Sequence, residues 1–382
     1  MAGSRQPGPD RGGVVVVNQS SATREGPLRI AMVVPPWYPV PPSGYGGLEQ
    51  VVAGLVDGLV DRGHRVTLFG AGPAHGTDAA YVPTVGELQH ERLGESLPEL
   101  AHLARVHRSL DPARFDVVHD HTTIGPLLAE RRALPTVATV HGNPVGEYGE
   151  VLSQVPDTVG LVAISHAQRR LNPGLPWAGT VHNALETGVF PRKRAPGTGP
   201  VLWLARFSPD KGPEVALAAC RAAGLPLVLA GKCNEPGERR HYAEVVEPLL
   251  GPDVRVVFDA DRETCLRLLV EARCLIMPIQ WDEPFGMVMV EAMATGTPVV
   301  ALNRGAVPEV VRPGVTGLVL DRPEELPAAL REVDRLRPED CVAHVAEHFS
   351  TAGMARGYEA VYRRLVARPH SVRAEVVGTR VR

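Results

Sequence analysis

"LRIAMVVPPWYPVPPSGYGGLEQVVAGLVDGLVDRGHRVTLFGAG", from Leu28 to Gly72, is the stretch that decides the fold. It opens on a continuous β-rich apolar run, the pattern of a parallel strand buried on both faces. A loop rich in proline and glycine follows. Val51, Val52, Leu55, Val56, Leu59 and Val60 then recur with the helical period until Gly63 stops the helix. "RVTLFGAG" reads as a second strand. Strand, glycine-bearing loop, helix and strand in this order open a doubly wound parallel sheet.

The rhythm continues on both sides of a break. "FDVVHDH", "PTVATVHG" and "GLVAISH" are short apolar runs that end in polar residues. Ligands of open α/β sheets bind beyond the carboxyl ends of the strands, so these polar ends are candidate site residues as a group. "FPRKRAPGTGP", Phe190 to Pro200, interrupts the pattern and reads as an interdomain linker, with Arg192, Lys193 and Arg194 expected to be solvated. "PVLWLARF", "LPLVLAG", "VRVVFDA", "RCLIMPI" and "TPVVAL" then form a second α/β alternation. The expected organisation is a disordered extension over 1–27, in which Val14–Val17 could add a marginal strand. A first Rossmann-like domain over 28–190, a linker over 191–199, a second domain over 200–350 and a helix over 351–370 follow. In that helix Met354, Tyr358, Val361, Tyr362 and Leu365 share one face, as core packing requires.

Whole-chain properties narrow the function. A chain of 382 residues, 44% hydrophobic and 22% charged, has the length of two domains and the composition of a globular enzyme. A formal net charge of −3 argues against nucleic acid as a partner. No apolar run reaches the roughly 18–20 residues of a membrane helix, although peripheral membrane contact needs none. "MAGSRQPGPDRGG" lacks the apolar stretch of a secretory signal, and Cys220, Cys233, Cys265, Cys274 and Cys341 form no paired framework. A cytoplasmic protein with reduced thiols and no cofactor is expected.

Two stretches carry chemistry. "ARFSPDKG", Ala205 to Gly212, sets Arg206 and Lys211 in the turn between a buried strand and a helix. Taken alone they are either ordinary loop charges or a clamp for an anion with several negative charges. "DEPFGMVMVEAMATGTPVV", Asp282 to Val300, separates Glu283 from Glu291 by seven residues. Glu283 falls in the loop before a helix and Glu291 inside it, roughly two turns along. The helix N-terminus near Gly286 offers unpaired backbone N–H groups to a phosphate, and the carboxylates suit sugar hydroxyls.

These features together resemble the family 4 glycosyltransferases of GT-B architecture. The Glu-x7-Glu element, the Arg-x4-Lys spacing, "YGGLE" and "TVHG" occur in the family's order, and the resemblance runs from about Leu28 to Ala367. It implies two Rossmann-like doubly wound parallel-sheet domains facing a cleft, with the C-terminal helix crossing back onto the first. It implies retaining, metal-independent transfer of a sugar from a nucleotide-diphosphate donor, by family frequency a UDP-sugar, to an acceptor hydroxyl of a glycan, lipid precursor or small metabolite. Arg206 and Lys211 would hold the donor diphosphate, Glu291 the ribose, and Glu283 the transferred sugar. The backbone amides of Phe285, Gly286, Met287 and Val288 would meet sugar and phosphate. Gly46 and Gly47 would let their loop approach the donor, and His141 would lie near the reacting sugar.

The chain departs from the family pattern twice. "HNALET", His182 to Thr187, keeps Asn183 but has Ala184 and Glu186 where glycine and aspartate are usual, and "DADRE" follows Phe258 where a glycine is common. Two metal readings arise, at His119 with His121 and at Asp259 with Asp261, but neither supplies the three ligands of a catalytic site locally. A nucleotide-sugar 2-epimerase, a phosphorylase and a non-catalytic nucleotide-sugar-binding protein are the alternatives on the same fold.

Overall fold

The computed structural model describes residues 26–42, 46–73, 75–130 and 132–367. The expected extension up to residue 25, with Val14–Val17, and positions 368–370 of the expected C-terminal helix lie outside the described residues.

The first half builds a seven-stranded sheet from β1 (Arg29–Val33), β2 (Arg65–Ala71), β3 (Ala80–Val85), β4 (Val117–Asp120), β5 (Thr136–Val140), β6 (Val159–Ala163) and β7 (Trp177–Thr180). Every pairing is parallel and the order is β3-β2-β1-β4-β5-β6-β7. The second half builds a six-stranded sheet from β8 (Val201–Leu204), β9 (Leu227–Gly231), β10 (Val254–Phe258), β11 (Leu275–Met277), β12 (Val299–Leu302) and β13 (Gly317–Leu320). It is also parallel, in the order β10-β9-β8-β11-β12-β13. Both sheets are Rossmann-like, and together they form the GT-B arrangement.

Alternation along β1 explains why the sheet is covered on both faces. Ile30 and Met32 pack with Val52, Leu55 and Leu59 of the helix Gly47–Asp61. Ala31 and Val33 pack on the other side with Leu103 and Val106 of the helix Ser96–Ser109. Burying each such aliphatic side chain contributes about 1.5–3 kcal/mol. The strands that the apolar runs did not reveal, β3, β7 and β13, are all sheet edges. Their side chains are mostly half-exposed, and β3 carries Pro83, which an edge tolerates.

The linker is docked through Lys193, which corrects the expectation of a solvated charge there, whereas Arg192 and Arg194 are exposed as expected. Lys193 donates from its backbone to Thr295 O at 3.0 Å and from Nζ to Ala272 O at 2.6 Å, and burial pushes its ammonium down to about 8.

The helix Thr351–Val366 packs on the first sheet's side and buries Met354, Ala355, Tyr358, Val361, Tyr362 and Leu365 in its core. The chain thus passes between the domains twice. The two passages touch where Leu185 pairs with Ser350 and Leu185 N donates to Phe349 O at 3.1 Å. Close approach of the helices depends on Gly54 and Gly58. A Cβ at Gly54 would stand 2.8 Å from Thr351 Cγ2, and one at Gly58 3.2 Å from Ala355 Cβ. Gly58→Leu is therefore expected to force the crossing helix outward and destabilise by about 1–3 kcal/mol, read as a lower thermal midpoint. An unchanged midpoint would mean that the contact is loose.

Candidate functional site

In each sheet the strand order reverses beside the first strand, between β1 and β4 and between β8 and β11. Loops leaving the carboxyl ends of such neighbours diverge and open a crevice. The loop after β8 carries Arg206 and Lys211, and the loop after β11 carries Asp282 to Gly286. The loop after β1 carries Gly46 and leads to Gly47, while β4 and β5 deliver His119, His121 and His141 to the facing rim.

A cavity of about 270 Å³ lies in the second domain, with Arg206, Lys211, Glu283, Gly286, Met287 and Val288 on its walls over a floor of strand residues such as Trp203 and Met277. Lys211 Nζ is 2.6 Å from Glu283 Oε2 and 4.7 Å from the Trp281 ring centroid. Trp281 Nε1 donates to the same carboxylate oxygen at 3.1 Å. Arg206 Nη1 donates to Glu238 Oε1 at 3.3 Å, and Glu235 lies 3.8 Å away. Each expected phosphate-binding cation is thus held by carboxylates that an incoming anion can displace. A larger, shallow hollow of about 340 Å³ against Pro191 and the helix Arg262–Glu271 holds none of the motif residues.

The helix Met287–Ala294 starts without a side-chain cap. Its N-cap, Gly286, has φ 83°, and a Cβ there would strike Met289 Cε at 2.6 Å, so glycine is required. Uncapped N–H groups therefore face the cavity. Phe285 contributes only backbone, because its side chain is 2% exposed and packs between His182 and Phe349. Glu291 is about one turn into this helix, not two, since the helix begins only at Met287. It is half-buried and does not line the cavity.

On the facing rim, Gly46 has φ 151° with Pro42 where a Cβ would go, whereas a Cβ at Gly47 would meet nothing within 4 Å. His141 Nε2 lies 3.0 Å from His121 Nδ1, and burial pushes the His141 imidazole down to about 4. Asn143 Nδ2 donates across the cleft to Asp282 O at 2.6 Å, which sets the "TVHG" loop against the Glu283 loop.

Glu309 of the second domain makes a further clasp. It accepts from His166 N at 2.8 Å and Ala167 N at 2.5 Å and lies 3.2 Å from His182 Nε2. His166, His182 and Glu309 offer ligand-type atoms within 4.8 Å of one another, but the backbone already engages both carboxylate oxygens. The residues of the other two metal readings are likewise engaged by the protein. His119 bonds Tyr362 and Thr139, and His121 bonds His141 and Met32, so each ring uses both nitrogens. Asp261 caps the helix Arg262–Glu271 by accepting from Thr264 N at 2.8 Å. Asp259 adopts φ 48° and accepts from Asn234 Nδ2 at 3.0 Å, so it holds a glycine-like backbone with a carboxylate attached. At the other departure Ala184 is buried and Glu186 accepts from Gly188 N at 3.0 Å.

Sequence reasoning missed Glu49. It sits in the first turn of the helix Gly47–Asp61, is 3% exposed, and has its carboxyl pushed up to about 7 by burial. The signal was present, since a carboxylate in the first helical turn beside a glycine loop favours an electropositive helix start.

Residues 191–341 match the family described as Glycosyl transferases group 1, and residues 45–157 match the Glycosyltransferase Family 4 family. A D-inositol 3-phosphate glycosyltransferase of Mycolicibacterium gilvum is 28% identical over 365 residues, covering 82% of this chain and 76% of that protein. Among solved structures, AviGT4, a glycosyltransferase involved in avilamycin A biosynthesis, superposes with a TM-score of 0.66 at 27% identity, covering 89% of this chain and 98% of that one. HepE of Anabaena, solved in complex with UDP and glucose, has a TM-score of 0.65 at 18% identity, covering 87% of this chain and 98% of that one, and is alike in fold.

Burial pushes the Glu291 carboxyl up to about 7 against the pull of Arg262, from an ordinary 4.5. Glu291 and Glu49 therefore bind a proton more tightly folded than unfolded. The stability this gives is complete below about pH 4.5 and is lost as pH rises through about 7. The ligand-free protein is expected to melt lower at pH 8 than at pH 5.5, and Glu291→Gln to shrink that difference. A difference unchanged by the substitution would place the titration elsewhere.

Proposed function

The chain belongs to the family 4 glycosyltransferases of GT-B architecture, which makes it a hexosyltransferase, and from that premise we propose that it moves a sugar from a nucleotide-diphosphate donor to an acceptor hydroxyl with retention. The observation that carries this reading is the convergence of Arg206, Lys211, Glu283 and the uncapped helix start at Gly286 on one cavity at the strand-order reversal. Two cations and a ring of backbone donors suit a diphosphate, and an adjacent carboxylate suits a sugar. A UDP-sugar is the donor proposed, supported by the UDP and glucose held by HepE, which shares the fold.

Chemistry follows from displacement. As the diphosphate enters, it takes Lys211 from Glu283 and Arg206 from Glu238. Glu283 is thereby released to accept a hydrogen bond from a sugar hydroxyl. As the family resemblance implies, Glu291, which lies outside this cavity, would accept from a ribose reaching beyond it, and His141 would meet the sugar from the first domain. Departure of the diphosphate builds negative charge beside Arg206, Lys211 and the helix start, where preorganised donors stabilise it. Once released, Glu283 is committed to the sugar hydroxyl, and among the described residues no other carboxylate lines the cavity to act as a covalent nucleophile. Attack therefore comes from the face the diphosphate leaves. The acceptor oxygen bonds to the anomeric carbon, the bond to the phosphate oxygen breaks, and the acceptor's proton passes to the departing phosphate.

Thermal shift with a panel of nucleotides and nucleotide sugars tests the reading. Stabilisation by one diphosphate sugar, lost in Glu291→Ala, supports it, and no stabilisation by any of them counts against it. With the donor so identified, Arg206→Ala is expected to lower turnover by about 10²–10³. Near-normal turnover would remove Arg206 from the clamp.

A further inference from the structure

Three histidines on neighbouring strand ends form one buried assembly. His119 and His121 are 0% and 4% exposed, and their ring centroids are 4.1 Å apart. His119 Nδ1 is 2.7 Å from Tyr362 Oη and its Nε2 is 2.7 Å from Thr139 Oγ1, which lies 2.8 Å from Tyr358 Oη. Hydroxyls both donate and accept, so these bonds lock the ring without choosing a tautomer. His121 differs. Its Nε2 lies 3.2 Å from Met32 Sδ, and a thioether sulfur can only accept. His121 Nε2 therefore carries the proton.

No carboxylate hydrogen-bonds any of the three rings among the described residues, and Asp120 turns instead to Thr122 and Arg132. Burial holds all three imidazoles below their ordinary value. A neutral His121 protonated at Nε2 has a bare Nδ1, which must accept from His141 Nε2 across 3.0 Å. A neutral His141 protonated at Nε2 has a bare Nδ1 in turn. That nitrogen has no hydrogen-bond partner among the described residues and belongs to a half-buried side chain at the carboxyl end of β5.

We propose that His121 is a positioning residue, oriented by Met32, which holds His141 in the Nε2–H tautomer so that its Nδ1 receives a hydrogen bond from a substrate hydroxyl. The assignment rests on the placement of His141 beside the sugar proposed above. It makes His141 an acceptor that selects a hydroxyl, and not a donor or a cation. The C-terminal helix takes part at a distance, because Tyr358 and Tyr362 fix the ring against which His121 packs at a tilt.

The test has a spectroscopic arm and a kinetic arm. Nitrogen-15 shifts of histidine-labelled wild-type protein at neutral pH should show His141 protonated at Nε2 and bare at Nδ1. The reverse tautomer, or an imidazolium, would overturn the proposal whatever the activity. In the kinetic arm, His121→Phe keeps an aromatic ring but leaves His141 Nε2–H without its acceptor. It should lower kcat/KM by about ten- to a hundred-fold, while His121→Asn, whose carbonyl can accept in place of Nδ1, recovers most of that loss. In a His141→Ala background, His121→Phe should cost nothing further, because His121 acts through His141. Additive losses would overturn the positioning role. Near-normal activity of His141→Ala alone would instead remove His141 from the proposed function, while the nitrogen shifts would still decide the tautomer.

Discussion

Parallel strands joined by right-handed crossovers must present all their carboxyl ends on one rim, and everything else in this molecule depends on that constraint. A parallel sheet has no hairpins, so each strand is followed by a loop on the same side. Where the strand order reverses, the two loops part. This occurs twice, beside β1 and beside β8, and Asn143 bonds Asp282 O from one rim to the other. The chain has only to place its chemistry just after a strand for it to arrive in the crevice. Arg206, Glu283, His121 and His141 all do so.

Charge at this rim is balanced internally. The Lys211–Glu283 pair has 16% and 11% side-chain exposure, and removing one partner of such a pair costs far more than the pair itself contributes. Arg206 is more exposed and more loosely held by Glu238. Both cations are thus kept in position by carboxylates. Stored in this way, the site avoids a cluster of bare positive charge without losing its arrangement.

Most of the fold was legible because buried parallel strands are continuous apolar runs. What escaped lies at the edges, where β3, β7 and β13 are short and half-exposed and their composition resembles loops. Site legibility divides on a similar line. Motif spacing placed Arg206, Lys211, Glu283 and Gly286 around one cavity, because each follows a recognisable strand. It could not foresee which partners they take, since Lys211 meets Glu283 across 72 positions of sequence and Lys193 meets Ala272 across 79. Nor did it foresee which side chains are buried. Phe285 sits in the motif but sends its ring into the core, and Glu49, to which the sequence reading gave no role, is buried.

The double passage between the domains has a mechanical consequence. Residues at Leu185 and Ser350 are bonded side by side, so the domains hang from two pins in place of one. A single thread would allow swivel, twist and bend alike. Two adjacent threads leave bending about one axis as the soft motion and stiffen the rest. Any bending of one domain against the other is then confined to a single arc, and groups on one rim keep a fixed line of approach to those on the other.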